Sequence, residues 1–294
     1  CPSKSVAASG SGAALIKTPD LAHAIVRAAR QGLEDWAGGQ SIHSQGFKPS
    51  RIEFIHTLNH NRSGMPVVSR RLLPLSIKTR LGFDCVVVER WVEHLLEARP
   101  AAITLHGRTL QQMYRGAADW SAIAEAAKLA HGTGTLMLGN GDLNTLVDAI
   151  RRAAESKVQG VLVGRGTLGS PWFFREKEQA RRAFSERDDL STLPAAVWEP
   201  QVSVSHRMQV MLDHARQYEA IAGLERFRSV RKHLGWYCKG FPHAAAMRGK
   251  MFGASNVQDV ERIVAEFCQE LMQAERDASA PTPLAAQPSS VSAA

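Results

Sequence analysis

Ala102-Ile103-Thr104-Leu105-His106-Gly107-Arg108 is the stretch that decides the fold. Four apolar or β-branched residues form a run of strand length, and it stops at a histidine, a glycine and an arginine. The same pattern recurs on both sides. Leu75-Ser76-Ile77-Lys78 leads into Thr79-Arg80, Thr135-Leu136-Met137-Leu138 into Gly139-Asn140-Gly141-Asp142, and Gly160-Val161-Leu162-Val163 into Gly164-Arg165-Gly166. Between these runs the apolar spacing turns helical over 86–98, over 120–130 behind an Asp119 cap, and over 145–155. Strands alternating with helices at this spacing form parallel βα units. Polar and glycine residues collected at the strand ends fit a barrel that works at its C-terminal face. An open doubly wound sheet satisfies the same periodicity.

Upstream, Thr18-Pro19 reads as a cap and first helical position, with Leu21, Ala24, Ile25 and Ala28 at helical spacing and an end expected near Gln31-Gly32. Residues 34–71 are rich in Gly, Ser, His and Asn, and read as a long loop or insertion carrying one strand at Ile52-Glu53-Phe54-Ile55. Downstream, 178–201 reads as a charged, proline-containing linker. From Val202 the pattern is helical, with Met208, Met211, Leu212 and Ala215 on one stripe and further helices expected over 225–235, 244–252 and 257–272. The Ala, Ser and Pro-rich tail over 277–294 reads as disordered. The expected organisation is a partial barrel over 1–177, the linker, a helical domain over 202–276 and the tail.

The chain has 294 residues and a net charge of +8, with 44% hydrophobic and 22% charged residues, which fits a globular cytoplasmic protein. Nothing approaches the roughly 18 uninterrupted apolar residues of a membrane span. Cys1, Cys85, Cys238 and Cys268 lack the spacing of a zinc or redox motif. The chain opens on Cys1 rather than Met and is expected to be a fragment with its upstream part missing. Its basic residues concentrate in two stretches, 40–80 and 226–250. Such stretches bind a polyanion or are simply solvated helix faces.

The glycines in 139–142 and 164–166 let backbone N–H groups approach an anion, and a phosphate site at the last two strand loops is a recurring barrel feature. Lys78 is either a snorkelling lysine or a fixed positive charge beside an electron-rich cofactor ring. His106 is either a satisfied structural group or a functional one. His56 and His60 have the i, i+4 spacing of a metal pair without a third ligand, so no metal is expected. Cys1-Pro2-Ser3-Lys4, with Gly10-Ser11-Gly12-Ala13-Ala14-Leu15 after it, is a flexible loop leading into a helix.

In order along the chain stand Cys-Pro-Ser-Lys with Gly-x-Gly-Ala-Ala-Leu, Ser-Ile-Lys-Thr-Arg-Leu-Gly, Ile-Thr-Leu-His-Gly-Arg-Thr, Met-Tyr-x-Gly-x-Ala-Asp-Trp, Gly-Asn-Gly-Asp and Gly-Arg-Gly-x-x-Gly-x-Pro-Trp. This series resembles the tRNA-dihydrouridine synthases, flavoenzymes that reduce specific uridines of tRNA. Arg231-Lys232-His233-Leu234-Gly235-Trp236-Tyr237 with Lys239-Gly240 resembles the helical RNA-binding domain of that family. The resemblance implies an α/β fold: a (β/α)8 TIM-type barrel, here lacking its first strands, followed by a small all-helical domain. It implies FMN as cofactor, NADPH or NADH as reductant and tRNA as partner, in a monomer without membrane attachment. Residue by residue, it makes Cys1 the catalytic acid. Lys78, His106, Asn140, Gly141, Asp142, Gly164 and Arg165 become flavin contacts, Arg80 lies near the target uracil, and Arg231 and Lys232 touch tRNA. Two other readings compete: an FMN barrel oxidoreductase for a small pyrimidine or enoate, and an inactive RNA-binding remnant.

Overall fold

The computed structural model describes residues 3–63, 70–185 and 202–279. They form two units. The first holds a four-stranded parallel sheet: β1 (Ser76–Arg80), β2 (Ala102–His106), β3 (Leu136–Asn140) and β4 (Gly160–Leu162), side by side in chain order. The register aligns Arg80 with His106, His106 with Asn140, and Asn140 with Leu162. Side chains on parallel strands in register share one face, so these four stand in a single row across the sheet. Neither β1 nor β4 has a further strand partner among the described residues.

Alternation along the strands divides the sheet into two unlike faces. Ile77, Ile103, Leu105, Met137 and Val161 point toward the helices, where Leu81, Val92, Leu95, Ile123 and Ala126 complete the core. Thr79 lies on that side too and accepts a 2.9 Å hydrogen bond from Trp91 Nε1, which satisfies both buried polar groups. The opposite face carries Ser76, Lys78, Thr104, Leu136 and Leu138. Leu136 remains 52% exposed there although it sits in an inner strand.

The helices of the first unit are α1 (Lys4–Ala8), α2 (Pro19–Ala37), α3 (Pro49–Ser63), α4 (Val88–Glu97), α5 (Trp120–Ala130), α6 (Leu146–Ser156) and α7 (Lys177–Ser185). Asp119 caps α5 by accepting from Ala122 N at 2.9 Å, and Thr145 caps α6 through Asp148 N at 3.0 Å. Three expectations are corrected here. First, α2 passes through Gly32 to Ala37, because Trp36 near its end packs under the Arg70 guanidinium and Gln31 bonds Asp35 one turn on. This outweighs the roughly 1 kcal/mol that a helical glycine costs. Second, the described residues within 34–71 hold a helix where a strand was expected. Pro49 opens α3, and Ile52 and Ile55 turn inward at helical spacing, Ile52 fully buried. Third, the expected linker starts as helix: α7 seats Ala180 against Leu146 and Phe173. The rest of the linker, 186–201, lies outside the described residues.

The second unit comprises residues 168–172 and the described residues from 202 onward. Its helices are α8 (Val204–Ala222), α9 (Arg231–Tyr237), α10 (Ala244–Gly253) and α11 (Val257–Ser279), with a 3-10 turn over Leu224–Ser229. Met208, Met211 and Ala215 of α8 meet Phe227, Val230, Leu234, Met247, Met251 and Val260 in an apolar core. The expected disordered tail loses its first three residues to α11, which stays helical to Ser279; the remainder is outside the described residues. Among the described residues no helix is long and apolar enough to cross a membrane.

Candidate functional site

The in-register row at the strand C-termini forms the floor of a cavity of about 240 Å³. It is lined by Lys78, Arg80, His106, Asn140, Gly141, Asp142, Gly164 and Arg165, together with Tyr114, Leu143, Asn144 and Leu162. Every strand-end residue expected to meet flavin or uracil therefore lines one pocket, because the four strands end at the same level.

Lys78 Nζ donates to Asn140 Oδ1 at 3.1 Å, and the Asn140 amide donates in turn to Leu162 O at 2.8 Å. This orients the amide and holds the ammonium at the centre of the floor. Burial, followed by the nearby Arg80 charge, lowers the Lys78 pKa. Arg80 is itself buried, and its Nη1 donates to Thr109 O at 2.6 Å, tying the loop after β2 to the end of β1. His106 is driven down to about 4, first by burial and then by the charges of Arg80, Lys78 and Arg108. It is a neutral imidazole at physiological pH. Arg108 Nη1 lies 3.5 Å from His106 Nε2, and a guanidinium can only donate, so this long contact favours the tautomer protonated on Nδ1.

Asp142 organises the rim. Its carboxylate accepts from Arg108 Nη2 at 2.5 Å, from Ala118 N at 2.8 Å and from Arg165 Nη2 at 3.0 Å. Burial alone would raise its pKa, but the Arg108 hydrogen bond, the Ala118 N–H and the two arginine charges carry it below the ordinary value. Arg165 also lies over the Tyr114 ring, 5.0 Å from the centroid. Gly141 has φ +139, and a Cβ there would stand 2.5 Å from Ala118 Cβ, so both torsion and space require glycine. At Gly164 a Cβ would meet nothing within 4 Å; that side of the rim opens outward.

Two residues of the site carried no role in the sequence reading. Arg108, 2% exposed, binds Asp142 and Gly116 O and thereby clamps the loop after β2 to the loop after β3. Tyr114 supplies an exposed ring beside Arg165. Both stood inside quoted motifs, but only the fold shows which way they turn. Cys1 lies outside the described residues. Arg231 and Lys232 belong to the second unit, at the start of α9. There the Arg231 guanidinium donates through Nε to Ala254 O, and through Nη2 to Ser255 Oγ at 3.2 Å, while Lys232 is exposed. His56 and His60 lie on α3, and no group of three or more His, Cys, Asp or Glu among the described residues could hold a metal ion.

A parallel α/β unit with a cationic pocket at its strand C-termini is the class that this fold and site define. A family model described as Dihydrouridine synthase (Dus) matches residues 1–35 and 65–276, and the chain belongs to that family. It is 32% identical over 259 residues to "Probable tRNA-dihydrouridine synthase" of Rhodobacter capsulatus, covering 87% of this chain and 63% of the relative. It is 28% identical over 261 residues to "Probable tRNA-dihydrouridine synthase 1" of Synechocystis sp., covering 88% and 59% respectively. With the Aquifex aeolicus protein of the former name it shares 30% identity over 204 residues, covering 69% and 58%. The chain thus spans less than two thirds of the length of these relatives.

Proposed function

We propose that this chain forms most of the catalytic and RNA-contacting part of an enzyme that reduces the C5=C6 bond of uridines in tRNA to 5,6-dihydrouridine. The observation that carries the reading is the convergence of Lys78, His106, Asn140, Asp142 and Arg165 on one cavity at the strand C-termini. Around it Lys78, Arg80, Arg108 and Arg165 outweigh the Asp142 carboxylate, an electrostatic balance suited to an anionic ligand. FMN fits this donor set. Arg165, the glycine backbones at 141 and 164 and Asn140 would hold its phosphate and ribityl end, with Lys78 and His106 toward the ring. When bound and reduced by NADPH or NADH, it supplies the hydride for one carbon of the uracil double bond.

The chain's own residues do the remainder. Lys78 presents a fixed positive charge and His106 a neutral hydrogen-bond donor, neither of which competes for the proton. Cys1 supplies that proton from its thiol Sγ to the other uracil carbon. The target base must leave its stack to enter so narrow a cavity. Exposed basic residues of the second unit, Lys232 among them, hold the tRNA phosphates. A small-substrate oxidoreductase would have no use for the basic segment at 226–250.

The four strands are read as one side of an eight-stranded barrel. The partly exposed face carrying Lys78 and Leu136 is then the barrel interior, and the unpaired edges of β1 and β4 accept the remaining strands.

The test uses the product of the complete coding sequence with unmodified tRNA, FMN and NADPH. Dihydrouridine should accumulate in tRNA and not from free uridine. Cys1→Ala should retain the flavin spectrum and lose roughly 10²–10⁴-fold in uridine reduction, the usual contribution of a general acid. Full turnover by that variant would remove Cys1 from the chemistry, and equal turnover of free uridine would remove tRNA from the reading.

A further inference from the structure

Residues 36–60, within the stretch that the family model leaves unmatched, build a second pocket together with Arg70. It encloses about 410 Å³ and is lined by Trp36, Ile42, His43, Ile55, His56, Asn59, His60 and Arg70 among others. Its floor is firmly built. The Arg70 guanidinium lies 4.2 Å from the centroid of the Trp36 ring, and its Nη1 donates to Gln40 O at 2.7 Å and Trp36 O at 3.3 Å. Its wall is aromatic and polar. His43 and His56 face each other in a stacked arrangement with centroids 6.2 Å apart, and His60 follows His56 one turn along α3.

The stretch that carries the pocket is cationic and rich in flat rings. Lys48, Arg51, Arg70 and Arg71 outnumber the acid Glu53 among its described side chains. Lys48, Arg51 and Arg71 are exposed, and so are Phe47, Phe54 and Leu58. Phosphates are bound by such cations, and unstacked bases rest on imidazole, indole and phenyl faces. A purely acidic protein partner would use the cations and leave the rings unemployed. RNA uses both.

We propose that this insertion-borne pocket is an accessory RNA-binding site that grips the tRNA away from the nucleotide being reduced. The proposal rests on the tRNA reading above. Its distance from the chemistry follows from the fold. Arg30 of α2 donates to Ala98 O and Arg99 O, at the C-terminal end of α4. The end of α2, and the pocket that follows it, therefore lie toward the N-terminal ends of the strands, opposite the cavity at Lys78. The site adds affinity for a long substrate and leaves the reacting geometry untouched.

The experiment compares the full-length protein with two variants, Lys48→Ala/Arg51→Ala and His56→Ala/His60→Ala, using unmodified tRNA. All four side chains are exposed, so thermal unfolding should match the parent. In the first variant the log–log salt dependence of tRNA binding should flatten by about 1.4–1.8, taking about 0.7–0.9 per lost phosphate contact. The second should weaken binding at every salt concentration with little change in slope, as lost stacking does. In both, KM should rise while kcat stays at the parent value. Parent-like binding and slope in both variants, with dihydrouridine still formed, would overturn this proposal and leave the enzymatic reading standing. So would parent-like RNA binding accompanied by loss of self-association, which would assign the face to a protein contact. A parent protein that neither binds nor reduces tRNA would overturn the enzymatic reading, and this proposal with it.

Discussion

At the scale of single residues, the site is an exercise in crowding positive charge. His106 shows the consequence most directly. Its folded pKa of about 4 lies below the ordinary value of 6.5, so the unfolded chain takes up the proton first as pH falls. Protonation at this position therefore leaves stability unaffected above pH 6.5 and diminishes it progressively between pH 6.5 and about 4. NMR titration of the His106 ring should show a midpoint near 4. Lys78→Met should raise it only partway toward 6.5, because burial is the larger cause. A midpoint of 6.5 in the parent would show that neither burial nor the neighbouring cations act on this ring. Arg108 tests the same crowding from the other side. Arg108→Gln removes the buried cation that Asp142 faces and leaves Gly116 O short of its donors. Hydrogen bonds to charged groups contribute about 1.5–3 kcal/mol, so urea unfolding should report a loss of about 2 kcal/mol.

At the scale of elements, α9 illustrates how a residue's neighbours reassign it. Arg231 and Lys232 are adjacent and equally basic in the sequence, yet they do different things. Arg231 donates to the carbonyl of Ala254, where α10 ends, and to Ser255, so it closes one helix from the start of another. Lys232 is exposed. Arg231→Ala should cost about 1–2 kcal/mol in stability with little change in the salt dependence of tRNA binding. Lys232→Ala should preserve stability and flatten the slope by about 0.7–0.9. Unfolding curves and salt titrations of the two variants separate these roles. A slope change confined to Arg231→Ala would reverse the assignment.

At the scale of the whole molecule, the sheet has one face packed by helices and one partly open. Leu136 lies on the open face at 52% exposure, and the barrel reading places it inside. Leu136→Asn distinguishes the two situations. If the face is open, the change should shift stability by less than about 0.5 kcal/mol, as exposed substitutions do. If it is the interior of a closed barrel, the change should cost about 2–3 kcal/mol, because an amide is buried without partners. A small effect in denaturant unfolding would show that nothing covers this face.

Much of this arrangement was legible in residue order. Strand-length apolar runs, each stopping at glycine and charged residues, defined the parallel sheet and placed Lys78, His106, Asn140 and Arg165 at one end of it. That information is local, since alternation and helix spacing repeat within a few residues. Asp119 and Thr145 caps, and the Met208, Met211 and Ala215 stripe of α8, were readable for the same reason. The misread segments were those whose local signals conflict. Gly32 suggested a helix end that the Gln31–Asp35 and Trp36–Arg70 contacts override. Ile52 to Ile55 suits a strand or a helix equally until a neighbour chooses. Tertiary structure alone decided the partnerships: Arg108 with Asp142, 34 residues apart, Arg231 with Ala254, and Arg70 with Trp36. A side chain's composition limits the bonds it can make. Which group stands within 3 Å of it depends on where distant parts of the chain return, and no local pattern encodes that.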